Sequence, residues 1–195
     1  MFITLNNLNI IIACYLIGSI PFGLLISYAL KKQDPRLHGS KNIGATNILR
    51  TSGWRLGLLT LFFDIFKGYI PVFFLKSSSI SVDYIIVSIF IGHIFPVWLK
   101  FKGGKGIAVI IGCLAAYNMH YGLFFVSMWL TLAAITRYSS LSALIASSST
   151  LILMVITDDH LFLPMLGIVV MIFLKHSSNI KRLLSGEESK IILKK

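Results

Sequence analysis

Apolar residues run in long, nearly unbroken stretches along this chain, and polar residues gather in the short intervals between them. The stretches lie near 9–30, 56–75, 84–100, 106–119, 121–136, 141–157 and 161–176. A helix crosses the hydrocarbon core of a bilayer in about 20 residues, fewer where the bilayer thins. The pattern therefore predicts an all-α, polytopic integral membrane protein with seven transmembrane helices. The fourth to sixth runs lie close together, separated only at Asn118–His120 and Arg137–Ser140. A five-helix reading merges some of them into long hydrophobic hairpins.

Composition supports lipid as the solvent. Of the 195 residues, 56% are hydrophobic and only 13% charged, with a mean hydropathy of +0.84. A soluble domain of this length could not hide so much apolar surface. One membrane domain spanning 1–195 is the natural unit. No Lys or Arg precedes Lys31. A secretory signal would carry positive charge ahead of its apolar run, so 9–30 is read as a retained spanning helix.

The net charge of +11 changes the picture through its placement. With residues 31–55 facing the cytosol, alternation of seven spans puts every basic residue inside except Lys67, within a helix, and Lys76. Asp83, Asp158 and Asp159 fall outside. That asymmetry follows the positive-inside rule and predicts the N-terminus outside and the C-terminus in the cytosol. The same placement argues against nucleic acid as a partner, since no run of Lys and Arg interleaved with exposed aromatics occurs. Cys14 and Cys113 sit in apolar stretches without a neighbouring His or acid, and are read as small core residues rather than a disulfide, a thioester nucleophile or metal ligands.

Three segments on the predicted cytosolic side differ from ordinary loops. In residues 38–50, Gly39 and Gly44 permit close backbone approach. Ser40, Asn42, Thr46 and Asn47 offer hydrogen bonds, and Arg50 offers a two-pronged donor for phosphate. A capped helix carrying a topology charge is the plainer reading of the same residues. In residues 92–106, Lys102, Gly103, Gly104, Lys105 and Gly106 form a basic glycine loop directly before a helix. Its amides and the helix N-terminus suit an oxyanion. It is not a Walker loop, because Gly104-Lys105 is followed by Gly106. A tight turn with snorkelling lysines is the alternative. His93 is read as packed or hydrogen-bonded. In residues 176–188, His176, Asn179 and Arg182 share a face if the last helix continues; otherwise the segment is a basic tail. Inside a span, Asp64 and Lys67 each cost about 2.5–3.5 kcal/mol to insert, so they should pair or line a polar cavity.

These segments resemble the acyl-phosphate-dependent glycerol-3-phosphate acyltransferases of bacterial membranes. Gly18-Ser-Ile-Pro-Phe-Gly23 resembles that family's first helix. Gly39-Ser-Lys-Asn-Ile-Gly-Ala-Thr-Asn-Ile-Leu-Arg50 resembles its first motif, and Gly92-His93 through Phe101-Lys-Gly-Gly-Lys-Gly106 its second. His176-x-x-Asn179-Ile-x-Arg182-Leu-Leu-x-Gly186-x-Glu188 resembles its third. Lys41 and Ile43 are small departures. The resemblance implies transfer of a fatty acyl group from acyl phosphate to glycerol 3-phosphate, giving 1-acyl-glycerol 3-phosphate (lysophosphatidic acid) and inorganic phosphate. This is the first acylation step of bacterial phospholipid synthesis, at the cytosolic face of the inner membrane. It implies Ser40, Arg50, Lys105, His176 and Asn179 as the catalytic set. Asn42, Gly44, Thr46, Asn47, Lys102, Gly103, Gly104, Gly106, Arg182 and Glu188 are then substrate-binding. No metal or cofactor is expected. The expected partners are the two substrates, membrane lipid and, functionally, the enzyme that makes acyl phosphate.

Rival classes fit less well. A transporter of organic phosphates would need a cationic path through spans that are nearly charge-free. Acyltransferases using thioesters often carry His-x-x-x-x-Asp, and none of the five histidines has Asp at that spacing. A metal-dependent lipid phosphotransferase would want clustered acids on the cytosolic side.

Overall fold

The computed structural model describes residues 5–191, all of the described secondary structure being helical. The chain divides into two compact units, one up to Tyr117 and one from Asn118.

The first unit holds α1 (Leu5–Gly18), α2 (Phe22–Ala29), α3 (Ala45–Ser52), α4 (Trp54–Leu75), α5 (Val82–Ile94) and α6 (Ile107–Tyr117). A 3₁₀ turn, Val97–Leu99, follows Pro96. Packing relies on small residues, as expected where lipid removes the hydrophobic drive between helices. A Cβ on Gly68 of α4 would collide with the Val109 carbonyl of α6, and one on Gly112 of α6 with the Ile65 carbonyl of α4. The same reciprocity joins α1 and α5 through Gly18 and Gly92. The interior is built around α5 and α6, where Ile85, Ile89, Phe90, Ile110 and Leu114 are fully buried. Phe62, Phe66, Phe73 and Phe74 of α4 face outward, as lipid-facing residues should. Cys14 and Cys113 are buried free thiols, which agrees with their reading as core residues.

The second unit holds α7 (Met119–Thr136), α8 (Ser139–Ile156), α9 (Phe162–Lys175) and α10 (Ser177–Leu184). Asn118 caps α7, its side-chain oxygen accepting the His120 N–H at 3.0 Å. Arg137 ends α7 in the left-handed conformation, φ 63°. Ser142, Ser147 and Thr150 of α8 are buried and donate to backbone carbonyls three or four residues back, so their hydroxyls cost little in the interior.

Each predicted apolar run contains helix, but the count of seven spans is not reproduced by helix length. Four segments are long and apolar enough to cross a membrane: Trp54–Leu75, Val82–Leu99, Met119–Thr136 and Ser139–Ile156. The count rises to at most six if two bent pairs each form one span. The first pair bends by 45° between α1 and α2, and the second by 60° between α9 and α10. Pro21 lies at the first break, where it removes a helical N–H. The fourth predicted run is reduced to α6, with 11 residues. At 1.5 Å per residue it reaches about 16 Å, roughly half the hydrocarbon thickness.

Candidate active site

The first segment is knitted together by Asn47. Its side chain is buried, and its Nδ2 donates to the carbonyls of Pro35 (2.8 Å), His38 (3.1 Å) and Asn42 (2.7 Å). Its Oδ1 accepts the Ser40 N–H at 2.8 Å. With two protons for three acceptors, Nδ2 is saturated. Asn47 therefore shapes the loop that carries Ser40 and Asn42. Asn42 in turn accepts the Gly44 N–H at 3.3 Å, closing the turn that leads into α3. Gly39 has φ +61°, and a Cβ there would strike Asn47 Oδ1. Thr46 falls in the first turn of α3 and Arg50, half-buried, in its last. Gly57 lets α4 lie directly against Leu49, so α3 is held to a long helix. Arg36, nearby in sequence, is committed to Asp34 at 2.6 Å. Its guanidinium holds the Asp34 carboxyl well below the usual carboxylate range.

In the second segment the chain doubles back after α5. The Gly103 N–H donates to the Ile94 carbonyl at 3.3 Å, and the Gly104 N–H to the His93 carbonyl at 3.2 Å. Both amides had been expected to face an oxyanion. Here they are spent on the backbone, and their contribution is to let the loop lie flat on the end of α5. Gly106, at φ +86°, leaves no room for a Cβ beside the Phe90 ring. Lys105, half-buried, is thus carried between two pinned glycines, directly before the N-terminus of α6. Lys102 is exposed. Beneath the loop, Asp64 and Lys67 pair as expected, Oδ1 to Nζ 2.8 Å.

The third segment turns at His176, which caps α10 after the bend. The helix does not run on straight, so the predicted i, i+3, i+6 face begins at a corner. His176 Nδ1 lies 2.8 Å from the Ile172 carbonyl. A carbonyl only accepts, so Nδ1 carries the proton, and in the neutral ring Nε2 is the basic nitrogen. Asn179 and Arg182 share a face, and Glu188 gathers them. Its Oε1 accepts from Asn179 Nδ2 at 2.7 Å and from Ser140 Oγ at 2.9 Å, and its Oε2 accepts from Arg182 Nε at 2.7 Å. Burial would raise the Glu188 carboxyl, but the hydrogen bonds from Asn179, Arg182 and Ser140 outweigh it and hold the group below the ordinary glutamate range. Ser140 was not singled out in the sequence; it sits in the first turn of α8 with no local signal for a partner 48 residues away. The tail continues to Ile191, whose N–H donates to the Arg137 carbonyl at 2.7 Å.

The profile of the glycerol-3-phosphate acyltransferase family matches residues 8–186. The chain is therefore an enzyme, an acyltransferase built, among its described residues, of helices. It is 44% identical over 191 residues to the glycerol-3-phosphate acyltransferase of Bartonella quintana (strain Toulouse), covering 94% of this chain and 90% of that one. It is likewise 44% identical over 190 residues to that of Francisella tularensis subsp. holarctica (strain OSU18), covering 95% and 93%. A crystal structure of PlsY (YgiH), an integral membrane glycerol 3-phosphate acyltransferase in its glycerol 3-phosphate form, matches with TM-score 0.89 and 34% identity over 95% of both chains. Its lysophosphatidic acid form matches at 0.86. The chain belongs to the glycerol-3-phosphate acyltransferase family.

Proposed function

We propose that this chain transfers a fatty acyl group from acyl phosphate to glycerol 3-phosphate, releasing 1-acyl-glycerol 3-phosphate and inorganic phosphate. The observation that carries this reading is the glycine loop: a lysine held between backbone-pinned glycines, at a helix N-terminus, is built to receive a phosphoryl group. The related crystal structures, with glycerol 3-phosphate and lysophosphatidic acid, support acceptor and product. The family match spans residues 8–186, which supports one acyltransferase domain across 1–195. The one-sided basic charge supports seven crossings of the bacterial inner membrane, with the N-terminus outside and chemistry at the cytosolic face. On that count α6 is the short crossing. The donor would come from the enzyme that makes acyl phosphate, and no cofactor takes part.

Acyl phosphate is a mixed anhydride and already activated. The acceptor hydroxyl oxygen bonds to the acyl carbon, the carbon–oxygen bond to phosphate breaks, and phosphate leaves. Two phosphate-bearing substrates bring roughly four negative charges together, so cations must hold them. Lys105 with Ser40 is assigned to acyl phosphate. Arg50, His176 and Asn179 are assigned to the phosphoryl groups of either substrate, with Asn42, Gly44, Thr46, Asn47, Lys102, Gly103, Gly104, Gly106, Arg182 and Glu188 shaping or supporting them. The hydroxyl proton goes to the departing phosphate. A single-turnover pH profile tests this: His176→Gln should keep the base limb of the wild-type profile. Loss of that limb with substrate binding unchanged would make His176 Nε2 the base instead.

The donor is tested with purified protein in detergent, labelled glycerol 3-phosphate, and either acyl phosphate or an acyl thioester. Labelled 1-acyl-glycerol 3-phosphate is expected from acyl phosphate alone. Product from the thioester would overturn the donor assignment.

A further inference from the structure

Three buried titratable side chains in the first unit have no part in the chemistry above. Asp64, Lys67 and His93 are 2%, 5% and 5% exposed. They are joined in one line. Lys67 Nζ donates to the Ile20 carbonyl at 2.7 Å, at the break between α1 and α2. It pairs with Asp64 Oδ1 at 2.8 Å, and the same oxygen lies 3.9 Å from His93 Nδ1. The opposite edge of the imidazole, at Nε2, fills the space where a Cβ on Gly104 would stand. The His93 carbonyl also takes the Gly104 N–H, at 3.2 Å. Gly104 is thus gripped twice by one residue, through its ring and through its backbone, and the ring is backed by an ion pair.

A glycine loop has no side chains of its own to set its height. Whatever lies beneath Gly104 decides where the next residue, Lys105, is carried. We propose that Asp64, Lys67 and His93 form a buried brace under the glycine loop, with His93 as a positioning residue for Lys105. The inference rests on the reading of Lys105 as a phosphate-holding residue. A cation displaced by about 1 Å from its phosphoryl group forfeits much of the transition-state stabilisation it supplies. The brace spans α1–α2, α4 and α5, so the loop is referenced to several helices rather than to its own turn.

The test is a kinetic cycle on the full-length protein in detergent, with acyl phosphate and labelled glycerol 3-phosphate, and thermal unfolding recorded for every variant. Lys105→Met alone should lower kcat/KM by roughly ten- to 150-fold, the worth of a charge-assisted hydrogen bond. His93→Ala should lower it roughly ten-fold or more by misplacing Lys105. Because His93 acts through Lys105, the double variant should be no worse than Lys105→Met. A second cycle pairs Gly104→Ala with His93→Ala: the added methyl should be harmful over the intact ring and nearly neutral once the ring is gone. If His93→Ala does not fold, His93→Gln takes its place in both cycles. Losses that multiply in both double variants would overturn the brace and leave the phosphate reading standing. Near wild-type turnover by Lys105→Met would overturn that reading, and the brace with it.

Discussion

Arg50→Ala is expected to slow acyl transfer roughly ten- to 150-fold while lowering the thermal unfolding midpoint only modestly, since one charge-assisted hydrogen bond is worth about 1.5–3 kcal/mol. The fold should survive because α3 has fastenings of its own. α3 is fastened at its start by the Gly44 turn and along its length by Ile48, which is fully buried, and by Leu49 against Gly57. Arg50 lies in its last turn, where its charge also meets the negative end of the helix dipole. For a half-buried side chain that contribution is up to about 2 kcal/mol. Arg50→Lys separates the two effects. It keeps the charge for the dipole but loses the planar fork, so its rate should fall part of the way while stability stays at the wild-type value. Labelled-product rates and unfolding midpoints on the three proteins measure this. Wild-type turnover by Arg50→Ala would remove Arg50 from the site.

Glu188→Ala should have the largest effect on stability in the second unit. The carboxylate is buried and accepts from Asn179, Ser140 and Arg182. Arg182 keeps 36% of its side chain exposed, so it can turn to water and contributes little to the loss. Asn179 and Ser140 lose an ionised acceptor inside the protein, and together cost about 2–3 kcal/mol. The unfolding midpoint should drop, and transfer should fall with it, because Asn179 loses the contact that aims its amide. The pH dependence has a definite sign. Its folded carboxyl lies below its ordinary value of 4.5. The stabilisation is therefore complete above about pH 4.5, and it fades as pH falls through the lower folded value. Glu188→Gln, which keeps the shape, should flatten that acid limb below about pH 4.5 relative to wild type. An unchanged acid limb would show that the carboxylate is not what the second unit loses in acid.

The motifs and most helices were legible because their signals are local. Apolar runs marked where α4, α5, α7, α8 and α9 would form, and two opposite charges three residues apart in a span forced the pairing of Asp64 with Lys67. The seven-span count was the weaker inference. Hydropathy measures apolarity along a run, whereas crossing length depends on where the helix starts and stops. Gly106, in its left-handed conformation, and the Asn118 cap trim 106–119 to the 11 residues of α6. Pro21 likewise splits the 9–30 run that hydropathy reads as continuous, while the corner at His176 falls where the 161–176 run ends.

By itself the sequence determined that this chain is helical, that its basic residues are gathered into a few intervals, and which three segments resemble the motifs of its family. Only the tertiary structure decided which of those polar groups are spent inside the protein. Asn47 and the Gly103 and Gly104 amides serve the backbone, and Glu188 serves Asn179 and Arg182. The reason is physical. A residue's type sets what it can donate or accept, but its partner is whatever the fold brings within about 3 Å. For Ser140 and Glu188 that partner lies 48 residues away.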